Sequence, residues 1–115
     1  MRWFLRSKIH RAHVTEANLD YIGSVTIDLN LLEKTGLLPG EKVLITSVTS
    51  GARLERYLIS GEKNSGVLCM NGPTAHLIKK GEIVVVMGFE LSDEQIKAKV
   101  VIVDEKNKFT DYLPQ

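Results

Sequence analysis

Four groups of residues in this chain have types and spacings that suit chemistry. Arg53-Leu54-Glu55-Arg56-Tyr57 alternates like a strand, which puts Arg53, Glu55 and Tyr57 on one face. Arginine offers a planar fork to a carboxylate, and a tyrosine phenol is a candidate proton donor. Lys8 and His10 lie two residues apart in a segment that also holds Arg2, Arg6, Arg11 and His13, with no acid before Glu16. Such a cluster of cations concentrates anions, or is simply a solvated basic strand face. Asn71-Gly72-Pro73-Thr74-Ala75 reads as a strand end followed by a small-residue turn, where a backbone is able to approach another group closely. Gly23-Ser24, between Tyr21-Ile22 and Val25-Thr26-Ile27, reads on its own as a turn entering a strand.

The elements that must position these residues are mostly strands. β-Branched and alternating segments predict strands at 2–14, 24–27, 42–48, 53–60, 66–71, 82–90 and 99–104. In the first, Trp3, Leu5 and Ile9 are expected on one side, with Arg2, Phe4, Arg6, Lys8 and His10 on the other. Thr49-Ser50-Gly51, Glu62–Gly66 and Lys79-Lys80-Gly81 supply the turns. Helices are short. Asp28 caps 29–35, Gly36 ends it and Pro39 follows. Ser92 is expected to cap a second helix over 93–97, and the polar tail after Asp104 to fray. With gaps too short for a series of helical crossovers, the pattern predicts a mainly β chain forming a closed or nearly closed small barrel with a few short helices.

Composition narrows the function classes. The 115 residues suit one domain, 1–115, with a core of its own. Lys and Arg total 15 against 14 Asp and Glu, a net charge of +1, and aromatic residues are 6%. Neither a general nucleic-acid binder nor a polybasic membrane binder is expected, so the partners exclude nucleic acid and membrane. No apolar run approaches the roughly 18 residues of a membrane span. The recurring charges at Arg2, Arg6, Lys8 and Arg11 do not form a secretory signal. One cysteine, Cys69, excludes an internal disulfide and suits a cytoplasmic location; in its apolar strand it reads as a buried small hydrophobe. The three histidines, His10, His13 and His76, have no ligand spacing, so no metal is expected. No phosphate loop or dinucleotide fingerprint is present.

Order and spacing together say more than any one group. Lys8-Ile9-His10-Arg11-Ala12, Tyr21-Ile22-Gly23-Ser24, Gly51-Ala52-Arg53-Leu54 with Tyr57, and Asn71-Gly72 with Ala75 resemble the aspartate 1-decarboxylases, from about Leu5 to about Asn107. The resemblance implies a double-psi β-barrel and a homotetramer with active sites between neighbouring subunits. It implies L-aspartate as substrate, β-alanine for pantothenate synthesis as product, and a pyruvoyl cofactor made from Ser24. The chain would be cut between Gly23 and Ser24 into segments 1–23 and 24–115. For that cut the serine hydroxyl attacks the Gly23 carbonyl, the amide becomes an ester, and β-elimination followed by hydrolysis leaves a ketone. The resemblance further implies that Arg53 binds the side-chain carboxylate of the substrate and Lys8 contacts the α-carboxylate. Tyr57 is the implied proton donor, and Asn71, Gly72, Pro73, Thr74 and Ala75 line the substrate pocket. His10 and Tyr21 orient groups near the cleavage bond.

Two positions depart from the family pattern. Arg56 stands where threonine is usual, and a guanidinium donates hydrogen bonds without accepting any. Maturation is then expected to be slower, incomplete or differently assisted, an accessory maturation factor being one route, and Arg56→Thr is expected to speed cleavage. Pro73-Thr74 replaces two small residues, which fixes the turn and adds a hydroxyl near the pocket. The alternative to an enzyme is an unprocessed or non-catalytic double-psi barrel relative, a zymogen or small-molecule binding module.

Overall fold

Strand pairing sets the architecture. The computed structural model describes residues 1–114. The elements run β1 (Arg2–His13), β2 (Glu16–Asn18), β3 (Val25–Asp28), α1 (Leu29–Thr35), β4 (Lys42–Ser47), β5 (Arg53–Gly61), β6 (Leu68–Asn71), α2 (Thr74–Leu77), β7 (Ile83–Ser92), β8 (Lys99–Val103) and β9 (Phe109–Leu113). They form one sheet in the order β2-β6-β3-β5-β4-β7-β1-β8-β9. The sheet is not closed by strand pairing, but it curls. Ile9 of β1 shares a buried cluster with Val25 and Ile27 of β3, although three strands lie between β1 and β3 in the pairing order. This mainly β sheet with two short helices is consistent with the expected double-psi barrel.

Backbone and side-chain bonds tie the chain just after β1 to the start of β6. The Thr15 amide donates to the Leu68 carbonyl at 2.9 Å, and the Leu68 amide donates to Thr15 Oγ1 at the same distance. Fully buried Asn107 receives the His13 amide at 2.8 Å and donates through Nδ2 to the carbonyls of His13 and Gly66 at 2.7 and 2.9 Å. The Asn107 side chain lies in the interior, where an unpaired amide would cost about 1–3 kcal/mol.

α1 forms over the predicted residues and for the predicted reasons. Asp28 Oδ1 accepts from the Asn30 amide at 2.8 Å, and Gly36 takes φ +78° while its amide donates to the Leu32 carbonyl. Burial of Leu31 and Leu32 fixes the helix to the sheet. The same Asp28 carboxylate also receives the Asn64 and Gly66 amides, each at 2.8 Å, so the helix cap doubles as the anchor of the β5–β6 turn.

Several expectations fail for tertiary reasons. No helix forms over 93–97. Ser92 makes only a local turn, its hydroxyl accepting from the Glu94 amide at 3.1 Å and donating to the Glu94 carbonyl at 2.7 Å. With a single capped turn and no buried face of its own, that stretch has nothing to meet the cost of helix nucleation. As far as Leu113 the tail does not fray, Gln115 lying outside the described residues: β9 pairs antiparallel with β8, Phe109 and Tyr112 meet edge to face, and the Tyr112 hydroxyl donates to the Lys34 carbonyl. The single alternation expected in β1 is broken by register shifts between Leu5 and Ser7 and between Ile9 and Ala12, the second at Arg11 with φ +57°. Trp3 consequently stays 68% exposed while Ser7, Ile9 and Ala12 are buried. β2 and α2 were not expected at all; each is too short to show a period.

Candidate active site

Ser24 is where the backbone is least ordinary. It has φ +89°, a left-handed conformation that costs a residue with a Cβ about 1–3 kcal/mol. Its side chain is wholly buried, and its hydroxyl has no hydrogen-bond partner. Its carbonyl is held by the Asn71 amide at 3.0 Å. A serine with an unspent hydroxyl is thus fixed on a strained turn just before β3.

The turn is held from below by Gly72. Gly72 has φ +62°, and a Cβ there would lie 2.9 Å from the Gly23 nitrogen, 2.9 Å from the Tyr21 carbonyl oxygen and 3.1 Å from the Gly23 Cα. The expected close approach at this glycine is made to segment 21–23. Tyr21 itself is exposed.

Asn71 is turned inward. Its Nδ2 donates to Thr26 Oγ1 at 2.8 Å, and its Oδ1 accepts from Cys69 Sγ at 3.0 Å. Burial, then the nearby Glu16, pushes the Cys69 thiol up to about 11, so it remains a protonated donor near neutral pH. Thr74 and Ala75 are buried behind the turn, and Thr74 Oγ1 donates to the Asn71 carbonyl at 2.8 Å. The hydroxyl of Thr74 therefore locks the turn.

A cavity of about 520 Å³ opens over the Gly23–Ser24 bond, lined by Gly23, Ser24, Lys42, Glu55, Arg56, Tyr57 and Pro73. Parallel pairing of Val25 with Leu58 brings β5 alongside this bond. A methyl group built on Gly23 would lie 4.0 Å from the Tyr57 hydroxyl, and Tyr57 is 44% exposed to the opening. Sequence reasoning gave no part to Lys42, Thr26 or Glu55. The Lys42–Glu55 ion pair of 3.0 Å follows from the β4–β5 register, in which Lys42 faces Tyr57 and Leu44 faces Glu55. That register is centred on the Thr49-Ser50 turn, so the turn carried a signal for the pair.

Arg53, Lys8 and His10 are not brought to this cavity. Arg53 lines an adjoining hollow of about 600 Å³, which shares Lys42 and Glu55 with the first and adds Trp3, Glu41, Val43, Leu44 and Phe89. Lys8 and His10 lie on β1, four places from β3 in the sheet. His10 Nδ1 is buried without a partner, and burial, then Lys8 and Arg11, lowers the pKa of the imidazole, which favours its neutral form. Among the described residues, no group of three His, Cys, Asp or Glu is placed to hold a metal.

A buried serine hydroxyl, a left-handed backbone at that serine and a tyrosine phenol at one opening are the arrangement that comparison with known proteins bears on. A family model described as aspartate decarboxylase matches residues 1–110. The chain belongs to that family. It is 49% identical to an aspartate 1-decarboxylase of Neisseria meningitidis, over 97% of this chain and 91% of that protein. Relatives with the same name in a Geobacillus species and in Listeria monocytogenes are each 47% identical, covering 93% and 99% of this chain and 87% and 93% of their own. The four motif groups named above all lie within the matched residues.

Proposed function

We propose that the protein decarboxylates L-aspartate to β-alanine and CO2, supplying a pantothenate precursor, after cutting its own chain between Gly23 and Ser24. Family membership supports the reaction, and the state of Ser24 supports the cut: a buried, unpartnered hydroxyl at φ +89° following an unhindered glycine. An ester is less stable than an amide, and backbone strain at the bond offsets part of that difference. These residues fit a pyruvoyl group. Conversion of Ser24 leaves a ketone facing the cavity that Tyr57 and Pro73 line.

Such a ketone supplies an electron sink when CO2 departs from the substrate. The remaining tasks fall to side chains. Tyr57 holds a proton beside position 24 for delivery to the substrate carbon. Gly72 and Asn71 fix segment 21–24 from below. Arg53 supplies a fork for the side-chain carboxylate, and Lys8 a point charge for the α-carboxylate. The family resemblance implies a homotetramer with its sites between neighbouring copies, and the place of Lys8 and His10 on β1, four strands from β3, supports a site that a second copy completes. Exposed Trp3 and Phe89, which line the hollow with Arg53, give the contact an apolar surface to bury. Among the described residues no helix is long and apolar enough to cross a membrane.

Intact mass under denaturing conditions tests this reading. Aged protein is expected to give fragments 1–23 and 24–115, with the larger one reactive toward hydrazines. Ser24→Ala is expected to remain one chain, and Arg53→Ala to mature yet lose at least 100-fold in kcat/KM, the equivalent of about 3 kcal/mol for an unpaired carboxylate. Wild-type protein that stays uncut and unreactive, and releases no CO2 from aspartate, leaves the non-catalytic barrel as the correct reading.

A further inference from the structure

Arg56 is a cation without an anion. It lines the cavity over Gly23 and Ser24, its Nε is shielded from solvent with no partner, and its Nη1 reaches only the Glu55 carbonyl, at 3.3 Å. Among the described residues no carboxylate pairs with it, since the neighbouring Glu55 is engaged by Lys42. The cavity lining of Lys42, Glu55 and Arg56 is left with one surplus positive charge. A half-buried guanidinium with unused donors gains by accepting a carboxylate, and the uncut chain places none there. Cutting the chain creates one. Carried two residues back, the parallel register that sets Val25 beside Leu58 brings Gly23 level with Arg56.

We propose that Arg56 stabilises the Gly23 carboxylate as it leaves Ser24, and afterwards keeps the end of segment 1–23 in the cavity. The inference rests on the self-cleavage reading above. In the first step Ser24 Oγ bonds to the Gly23 carbonyl carbon, the carbon–nitrogen bond breaks, and the hydroxyl proton passes to the freed amine. In the second, water takes the Cα proton of Ser24, the Cβ–Oγ bond breaks, and its electron pair leaves with the Gly23 carboxylate. Negative charge thus develops on that carboxylate in the second step, and Arg56, which is always protonated, receives it without a proton transfer. Arg56 replaces the hydroxyl usual at this position with a group suited to elimination. Arg56→Thr is then expected to accumulate the ester and consume it more slowly, the reverse of the faster cleavage that the family pattern alone suggests.

A time course of Arg56→Gln, quenched in hydroxylamine and read by intact mass, tests this. Hydroxylamine releases 1–23 as a hydroxamate only where the ester has accumulated. The expected result is accumulation of the ester, fragment 24–115 ending in a ketone appearing at least 10-fold more slowly, and partial recovery in Arg56→Lys. Millimolar methylguanidinium should speed elimination in Arg56→Ala, which a merely structural role would not allow. If Arg56→Gln fails to fold, judged by its unfolding transition, Arg56→Lys and the rescue of Arg56→Ala decide. Maturation at the wild-type rate with no trapped ester overturns the inference, as does a slowed first step. Wild-type protein that never cuts fails the earlier reading instead, so the two failures are distinct.

Discussion

Gly72→Ala should damage both the fold and the chemistry, and its cost is calculable in parts. One part is conformational: a Cβ at φ +62° costs about 1–2 kcal/mol. The other is steric. The added carbon would sit 2.9 Å from the Gly23 nitrogen and from the Tyr21 carbonyl oxygen, and both are backbone atoms with no rotamer through which to yield. Displacing a packed backbone adds about 1–3 kcal/mol, for a total near 2–5 kcal/mol. Gly51→Ala separates the two parts. Gly51 has φ +80°, but a Cβ there meets nothing within 4 Å, so only the conformational part applies. For a chain of this length each kcal/mol lowers Tm by about 3–6 °C, so Gly72→Ala should melt about 3–18 °C below Gly51→Ala. Because the steric push falls on residues 21–23, Gly72→Ala should also cut at Gly23–Ser24 more slowly than Gly51→Ala, measured by intact mass at a temperature where both are folded. Equal Tm values and equal cleavage rates would refute the argument that Gly72 is required by the approach of segment 21–23.

Two further predictions concern titration. Buried Glu82 accepts from Ser47 Oγ at 2.6 Å and from the Lys79 amide at 2.7 Å, and these bonds, led by Ser47, lower its pKa from the ordinary 4.5. A lowered carboxylate pKa contributes stability above the ordinary value and loses it as pH falls through the folded one, so Glu82→Gln should cost about 1–3 kcal/mol at pH 7 and progressively less below pH 4.5, by denaturant unfolding. His10 has a folded pKa below 6.5, lowered first by burial and then by Lys8 and Arg11, so protonating it on acidification costs stability. Lys8→Met removes one of those cations and should raise the His10 pKa, read from imidazole chemical shifts; an unchanged or lower pKa contradicts the coupling.

Local chemistry was legible wherever one segment contained its own reasons. Asp28 and Gly36 bracket α1 as a capping residue and a left-handed terminator do, and the predicted bounds hold. The turn at Thr49-Ser50-Gly51 set the β4–β5 register and hence the shared face of Arg53, Glu55 and Tyr57. Gly72 in its small-residue turn was recognisable as a point of close approach, though not what approaches it. β9 illustrates the opposite case. Phe109–Leu113 is short and of mixed polarity, and becomes a strand because β8 offers an edge and Lys34 offers a carbonyl to Tyr112 and a cation over Phe109. Residues 93–97 have the cap and the acids of a helix but no surface to bury.

The amino-acid order alone determined the family, the mainly β class, the helix and its caps, and the set of residue types available for chemistry, because each depends on identity or on spacing of a few residues. Only the tertiary structure decided that Ser24 is strained and unpartnered, that Asn71 faces Cys69 and Thr26, that Arg56 opens onto Gly23, and that Arg53 and Lys8 lie elsewhere. Those facts depend on how a curled sheet brings distant strands together. That arrangement is set by burying one shared core, and no local segment carries it.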